Sequence, residues 1–375
     1  MTQDIFNYLI KTFMILKVRK FFISVVMLLA LGFFPLNVFA NTTADASNEN
    51  QAYFVIAIDE EEVDVVNSLY EKKLIKNKEI FNLILDIAGL HNKLKPGGYK
   101  IDNNLNELQV VKILISESDL KWIVIPEGYR KEQIAEVLAK ELRWKEKQKM
   151  DWIFKTTETK PEYAEGVYFP DTYLIKANET GEQIAKRMIN RFNEKFAPYQ
   201  AQFLENDIKW TTALKIASIV QREAASKEDM PLIAGIIWNR LADDMRLEID
   251  ASVQYVKDSL THSNVEVCQK KNTILWSNNL CMQSGVIEAP FLYISSGDWW
   301  KPIASEDKKI NSSYNLYLNT GLPPKPIANP GLSAIDSVLN PAVTDCLFYL
   351  HDKNKKIHCA KTYDEHLKNI ETYLK

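Results

Sequence analysis

A helical segment that ends in a carboxylate gives the clearest chemical signal in the sequence. Residues 213–224 read Ala-Leu-Lys-Ile-Ala-Ser-Ile-Val-Gln-Arg-Glu-Ala, and the apolar residues recur on one face at helical spacing. Glu223 continues that face, one turn beyond Ile219 and Val220. A carboxylate at the end of an apolar stripe loses hydration, which raises its pKa. Such a group is suited to act as a general acid near neutral pH.

A simpler interpretation of Glu223 is a helix-end glutamate bonded to a neighbouring backbone group or arginine. Other catalytic motifs are scarce: the sequence has no Gly-x-Ser-x-Gly elbow, no phosphate-binding loop and no His-Glu-x-x-His. Two Ser-x-x-Lys matches begin at Ser118 and Ser305. Neither has a Lys-Thr-Gly partner, and the pattern is frequent by chance. On the residues alone, both interpretations of Glu223 stay open.

Polar clusters follow this segment along the chain. They are Asn239–Leu241, Met245–Tyr255 and Tyr314–Tyr317, with a proline-rich loop at Gly321–Gly331. Their side chains suit sugar hydroxyls and amides. Surface solvation and helix capping are the simpler explanations, with Asp250 as the N-cap of a helix that starts at Ala251.

The elements that must position these residues alternate irregularly, which favours an α+β fold over a doubly wound sheet. Predicted strands cover residues 53–58 and 121–125, and residues 96–101 read as a turn into a strand. Predicted helices cover residues 63–74, 79–88, 108–115, 131–142, 180–198, 209–224 and 231–242, with a last helix from about Tyr363. A hairpin is expected from Cys346 to Cys359, around the polar turn His-Asp-Lys-Asn-Lys-Lys.

The amino-terminal segment Phe21–Ala40 is uncharged over twenty residues and follows Lys17, Arg19 and Lys20. This length spans a bilayer core, and the positive-inside rule places the rest of the chain outside the cytoplasm. A single-pass anchor in the cell inner (cytoplasmic) membrane is expected, with the larger part on the periplasmic side. A signal peptide cleaved after Ala40 is the alternative. Residues 41–51 read as a polar linker.

The amino-acid composition limits the classes of function that the protein can have. The 375 residues include 46 basic and 49 acidic ones, for a net charge of -3, and 46% are hydrophobic. These values fit about two globular domains and exclude bulk disorder or a multi-span membrane protein. Without a basic stripe, a nucleic-acid partner is not expected.

The four cysteines all lie in the last third of the chain, at Cys268, Cys281, Cys346 and Cys359. In an oxidising compartment an even number suggests two disulfides, with three possible connectivities. The hairpin would bring Cys346 close to Cys359, which leaves Cys268 with Cys281. Four free thiols or a metal site with His351 and His358 are the alternatives. The spacing matches no zinc pattern, so no metal and no cofactor are predicted.

The ordered set of segments resembles the endolytic murein transglycosylase family (MltG, YceG-like). The segments that carry the resemblance are Ile125–Gly128, Glu165–Tyr173, Ala217–Glu223, Ile233–Leu241, Asp250–Tyr255, Tyr314–Tyr317, Gly321–Gly331, Asn340–Asp345 and Ala360–His366. The resemblance covers about residues 52–373. It implies cleavage of the MurNAc-GlcNAc β-1,4 bond inside nascent glycan strands, which leaves 1,6-anhydro-MurNAc ends and terminates strand elongation.

The resemblance also implies an organisation and a set of roles. Residues 1–40 would form the tail and anchor, 41–51 a linker, 52–116 a LysM-like module, and 117–375 a catalytic domain with an insertion at about 258–312. Glu223 would be catalytic, because it matches the second acidic position of the family's Glu-x-Glu helix motif. The implied substrate-binding residues are Asn239, Arg240, Asp250, Ser252, Gln254, Tyr314 and Asn315. Penicillin-binding proteins of the cell-wall synthesis machinery are the implied partners, beside the glycan strands themselves.

The chain departs from the family pattern at Gln221, Ala224 and Leu316, where a glutamate, a hydroxyl residue and a threonine are usual. The link between Tyr255 and Tyr314 is longer than in the family and contains Trp276, Trp299 and Trp300. These aromatic residues would either pack on their own core or stack on sugars. Two other functions stay open: a muramidase that uses Glu223 and Asp250, and a glycan-binding scaffold without catalysis.

Overall fold

The structure is a computed structural model and describes residues 53–159, 164–262 and 299–375. The predicted mixed α+β class is confirmed. The strands are β1 Tyr53–Ile56, β2 Gly97–Lys100, β3 Leu120–Val124, β4 Thr172–Lys176, β5 Phe348–His351 and β6 Ile357–Ala360. The α-helices are α1 Glu62–Glu71, α2 Lys78–Ala88, α3 Glu107–Leu114, α4 Lys131–Leu142, α5 Glu146–Phe154, α6 Gly181–Glu205, α7 Trp210–Glu223, α8 Met230–Ala242, α9 Asp250–His262, α10 Leu332–Leu339 and α11 Tyr363–Tyr373.

A four-stranded antiparallel sheet runs in the order β1-β2-β3-β4. Strands β1 and β2 pair over four residues and β3 and β4 over five, whereas β2 and β3 are joined by the single pair Gly98 and Leu120. The indole Nε1 of Trp122 on β3 donates to the carbonyl of Ile56 on β1, which adds a second link at 2.8 Å. Strands β5 and β6 form a separate hairpin.

Two hydrophobic cores underlie this sheet. The first gathers buried residues from Phe54 to Leu114, with Phe81 and Leu85 of α2 fully buried. The second and larger core draws on α4 to α10 and includes Ile216, Ile219 and Val220 of α7. Burial of the apolar faces of these helices provides the main stabilising free energy of the fold.

Helix α6 runs past Pro198, where the sequence pattern had predicted its end. An interior proline removes one backbone hydrogen bond and normally stops a helix. Here Phe192, Phe196 and Phe203 continue a buried stripe across the proline, and the rings of Phe196 and Phe203 stack at 5.7 Å. Packing against the core therefore overrides the local cost of the proline.

The expected single-pass membrane localisation is corrected by the structure. No helix within the described residues is both long and apolar enough to cross a membrane. Residues 21–40, on which that expectation rested, lie outside the described residues, as does the linker at 41–51. Cys268, Trp276 and Cys281 also lie outside them.

Candidate active site

Helix α7 delivers Glu223 to the surface of the larger core. Residues Ala213, Leu214, Ile216, Ala217, Ile219 and Val220 are buried along this helix. The next residue after Glu223, Ala224, leaves the helix with φ -71° and ψ 132°. The last helical residue is thus a carboxylate anchored by a buried apolar face, as the spacing predicted.

The carboxyl group of Glu223 is half-buried and has two hydrogen-bond donors. The Tyr349 hydroxyl donates to Oε2 at 2.7 Å, and the backbone N–H of Ala251 donates to Oε1 at 3.4 Å. Burial raises the pKa of Glu223 above the usual carboxyl range, although the bonds from Tyr349 and Ala251 lower it. The negative charge of Asp250 raises it further, and His351 opposes that effect. The net result is a carboxyl group that holds its proton at higher pH than an exposed glutamate.

Tyr349 reaches Glu223 from strand β5, and sequence analysis did not select it. Burial beside Glu223 raises the pKa of Tyr349 well above its ordinary value, so the phenol remains a hydrogen-bond donor. In the hairpin register Tyr349 lies directly opposite Cys359, and Cys359 forms a disulfide with Cys346. The predicted hairpin was the available signal, because side chains of alternate residues on its strands share a face.

Asp250 begins helix α9 beside this carboxylate. Its Oδ1 accepts a hydrogen bond from the hydroxyl of Tyr317 at 2.5 Å, and Lys308 Nζ lies 3.9 Å from the same oxygen. Lys308 also lies over the Tyr317 ring, 4.3 Å from its centre. Asp250 is 55% exposed. The site therefore pairs each of two acidic residues with a tyrosine.

Gln254 and Tyr314 lie further along the same region. The Gln254 side-chain amide donates to the carbonyl of Trp300 at 3.2 Å. The Tyr314 ring packs on Tyr255, with the ring centres 4.9 Å apart. Both residues are half-buried.

Trp299 and Trp300 form side-chain hydrogen bonds with residues of helix α4. Trp299 Nε1 donates to Glu136, and Trp300 Nε1 donates to Gln133, each at 3.0 Å. These two tryptophans therefore pack on helix α4. Their position favours the packing interpretation for this end of the insertion.

Four of the predicted substrate-binding residues donate side-chain hydrogen bonds to backbone carbonyls. Arg240 donates to the carbonyls of Arg246, Leu247 and Leu347. Asn239 donates to the carbonyls of Thr344 and Cys346.

The other two are fully buried. Ser252 donates to the carbonyl of Ile249 and accepts from the N–H of Leu316. Asn315 donates to the carbonyls of Lys308 and Ile310. These polar groups hold the hairpin and the segment 308–317 against helices α8 and α9.

Gln221 accepts a hydrogen bond from the proline-rich loop, Gly321–Gly331. Its Oε1 accepts the N–H of Gly331 at 3.0 Å. Gly331 lies so close to Glu127 that an added Cβ would come within 2.2 Å of the carboxyl carbon Cδ of Glu127. The amide at position 221 therefore has a structural partner where the family usually places a second carboxylate.

Asn329 links the proline-rich loop to the segment Glu165–Tyr173 and to Tyr129. Its Oδ1 accepts from the N–H of Tyr168, and its Nδ2 donates to Glu165 at 2.6 Å and to the carbonyl of Tyr129 at 2.9 Å. Glu165 is 2% exposed and also accepts the N–H of Lys131. Burial, and next the charge of Glu132, raise the pKa of Glu165 to about 8.

A half-buried carboxyl group with a raised pKa, among tyrosines and amides, is an arrangement suited to acid–base chemistry on polar substrates. The chain belongs to the YceG-like family, whose sequence profile matches residues 54–372.

Curated relatives carry the name endolytic murein transglycosylase. The protein of Streptococcus pneumoniae serotype 2 (strain D39) is 26% identical over 392 residues, which cover 94% of this chain and 65% of that protein. The protein of Bacillus subtilis (strain 168) is 27% identical over 335 residues, which cover 83% of this chain and 82% of that protein. The chain thus spans just under two thirds of the pneumococcal relative.

A solved structure has the same fold. The crystal structure of a YceG-like protein from Listeria monocytogenes matches 86% of this chain and 99% of its own, with a TM-score of 0.55 and 26% identity.

Proposed function

We propose that the protein is an endolytic murein transglycosylase that cleaves the MurNAc-GlcNAc β-1,4 bond within glycan strands. The observation that carries this proposal is the state of Glu223: half-buried, with a raised pKa, and held through one oxygen by Tyr349. The names of the relatives support the same activity. Peptidoglycan glycan strands are the proposed substrate.

The proposed reaction needs one carboxyl group. Protonated Glu223 gives its proton to the glycosidic oxygen, and the bond from that oxygen to C1 of MurNAc breaks. The C6 hydroxyl of the same MurNAc attacks C1, so a C6–O–C1 bond forms and a 1,6-anhydro end results. The hydroxyl proton passes to the Glu223 carboxylate, which restores the acid. No water is consumed, in contrast to a two-carboxylate glycosidase.

The two oxygens of Glu223 take different tasks in this mechanism. Tyr349 donates to Oε2 and fixes the plane of the carboxyl group. Among the described residues, Oε1 receives only the long bond from the Ala251 N–H, so Oε1 is the oxygen that exchanges the proton. A general acid must lie within hydrogen-bond reach of the atom it protonates, and a fixed plane favours that geometry.

The remaining candidate residues divide into two groups in this proposal. Asp250, Gln254 and Tyr314 lie at half-buried or exposed positions and contact the glycan. Side-chain donors of Asn239, Arg240, Ser252 and Asn315 bond to backbone carbonyls, so these residues shape the site without touching the sugar.

Residues 52–116 are proposed as a LysM-like, glycan-binding module. Their separate hydrophobic core supports an independent role. Phe81→Ala removes a fully buried ring of this core, and Ile80→Ala removes a 48% exposed side chain on the same helix. Only the first variant should weaken glycan binding by the full chain. Glycan polymerases of the penicillin-binding class are proposed as partners on the family resemblance alone.

Mass analysis of muropeptides from uncrosslinked strands tests the activity. Wild type should yield anhydro ends, and Glu223→Gln should yield none, because a general acid contributes about 100-fold or more to the rate. Glu248→Gln changes an exposed glutamate nearby and is the matched control. Ends heavier by one water would overturn the transglycosylase in favour of a muramidase that uses Asp250. Glycan binding without cleavage by wild type would favour the scaffold.

A further inference from the structure

Arg222, the neighbour of Glu223 in the chain, is a half-buried cation. Within residues 53–159, 164–262 and 299–375 it forms no ion pair, and its Nε is buried without a hydrogen-bond acceptor. Burial lowers the pKa of the guanidinium, and the charges of Glu223 and Asp258 offset this only in part. A half-buried charge without an anionic partner costs free energy, which a bound anion would offset.

The guanidinium is held in a defined slot. Its central carbon lies 4.1 Å from the centre of the Trp300 ring, a cation–π contact. On another side, a Cβ added at Gly128 would lie 3.2 Å from Arg222 Nη1, and Gly128 has a φ of +78°. The loop therefore approaches the guanidinium closely only because position 128 is glycine.

Trp300, which forms one wall of this slot, is fixed by three hydrogen bonds. Trp300 donates its backbone N–H to Asp258 at 2.8 Å and its Nε1 to Gln133 at 3.0 Å. Its carbonyl accepts from Gln254 at 3.2 Å. Arg222 is thus oriented in advance of any ligand, which lowers the entropic cost of binding one.

We propose that Arg222 binds a carboxylate of the peptide stem on the MurNAc unit next to the scissile bond. This inference rests on the proposed function, because MurNAc, the sugar whose bond would be cleaved beside Glu223, carries its peptide on a lactyl ether. A planar guanidinium fork matches a carboxylate with two parallel hydrogen bonds. The substrate class becomes glycan strands whose peptide stems are anionic.

An alternative role for Arg222 is that its positive charge acts on the carboxyl group of Glu223. In that case the charge would act on every substrate alike. A stem-binding role acts only on substrates that offer a carboxylate. The two roles therefore separate in the ratio of kcat/KM between anionic and neutral strands.

The experiment uses the full chain with two preparations of uncrosslinked strands. One keeps its stem carboxylates, and the other has them converted to methyl esters, which preserves bulk and removes charge. Wild type should favour the anionic strands about tenfold in kcat/KM, mainly through KM, the size expected of one charge-assisted pair. Arg222→Gln should bring the ratio near one, Arg222→Lys should restore part of it, and Arg246→Gln, at an exposed arginine, should keep it.

Equal cleavage of both preparations by wild type would overturn the inference. So would an Arg222→Gln variant that is slower on both but keeps the ratio. Absence of cleavage by wild type would count against the proposed function instead. Binding of both preparations to Glu223→Gln, with and without Arg222→Gln, then decides the inference: a tenfold preference for anionic strands that needs Arg222 supports it, and no preference overturns it.

Discussion

The hydroxyl of Tyr349 donates a 2.7 Å hydrogen bond to Oε2 of Glu223 across 126 residues of sequence. Helix α7 and the carboxy-terminal hairpin are therefore linked through this carboxyl group. Tyr349 acts through Glu223, so we assign it as a positioning residue.

Tyr349→Phe should shift the pH dependence of cleavage. The hydroxyl stabilises the ionised form of Glu223, so its removal raises the pKa of Glu223. The alkaline limb of the kcat/KM profile, where the acid loses its proton, should move to higher pH. The maximal rate should fall about tenfold, because the carboxyl plane is no longer fixed. Tyr363→Phe, at an exposed tyrosine, is the control. An unshifted limb would remove Tyr349 from the site.

Reduction of the Cys346–Cys359 disulfide should weaken both the fold and the activity. The bond closes a loop with a sequence separation of 13, and a loop of that size contributes about 3 kcal/mol in the chain-entropy treatment. Since Cys359 lies opposite Tyr349, Cys346→Ser with Cys359→Ser should lower the Tm and reduce the rate towards that of Tyr349→Phe. In the Tyr349→Phe background the serine pair should add little further loss of rate. Full additivity in the double-mutant cycle would contradict this coupling.

Glu165→Gln should flatten the dependence of stability on pH. The folded-state pKa of about 8 lies above the ordinary carboxyl value, so folding favours the protonated form. The contribution of Glu165 to stability is therefore fully present below the ordinary carboxyl pKa and is lost as pH rises towards about 8. Denaturant unfolding at several pH values between these limits measures the slope. An unchanged slope in the variant would show that Glu165 does not carry the effect.

Gly97→Ala should destabilise the protein by about 1–3 kcal/mol, the cost of backbone strain and overpacking. Gly97 has a φ of +145°, and the new Cβ would lie 2.7 Å from the backbone carbonyl oxygen of Leu120, which cannot swing aside. Gly331→Ala is the control and should cost less, because its Cβ would meet the end of the exposed Glu127 side chain, which can move. Chemical denaturation of both variants gives the two costs, and equal losses would exclude this cause.

Local patterns were sufficient for much of the fold. Helix Lys131–Leu142 has the bounds that the sequence predicted, and Glu223 lies at the end of its apolar stripe. Helix periodicity is a local property, so it is readable without the tertiary structure.

Long-range partners were not readable in this way. Tyr349 gains its role from Glu223, and Ser252 and Asn315 are buried on backbone groups that no local pattern reveals. A run of polar residues looks the same in sequence whether its side chains meet a sugar or a carbonyl. The corrected membrane localisation likewise rested on one apolar segment outside the described residues.

The distance in sequence between Glu223 and Tyr349 has a consequence for biosynthesis. Ribosomal synthesis makes helix α7 well before strand β5, so a growing or truncated chain contains Glu223 without its tyrosine. Such a chain has the acid without the hydrogen bond that fixes the plane of its carboxyl group. That bond forms only once the hairpin has been made.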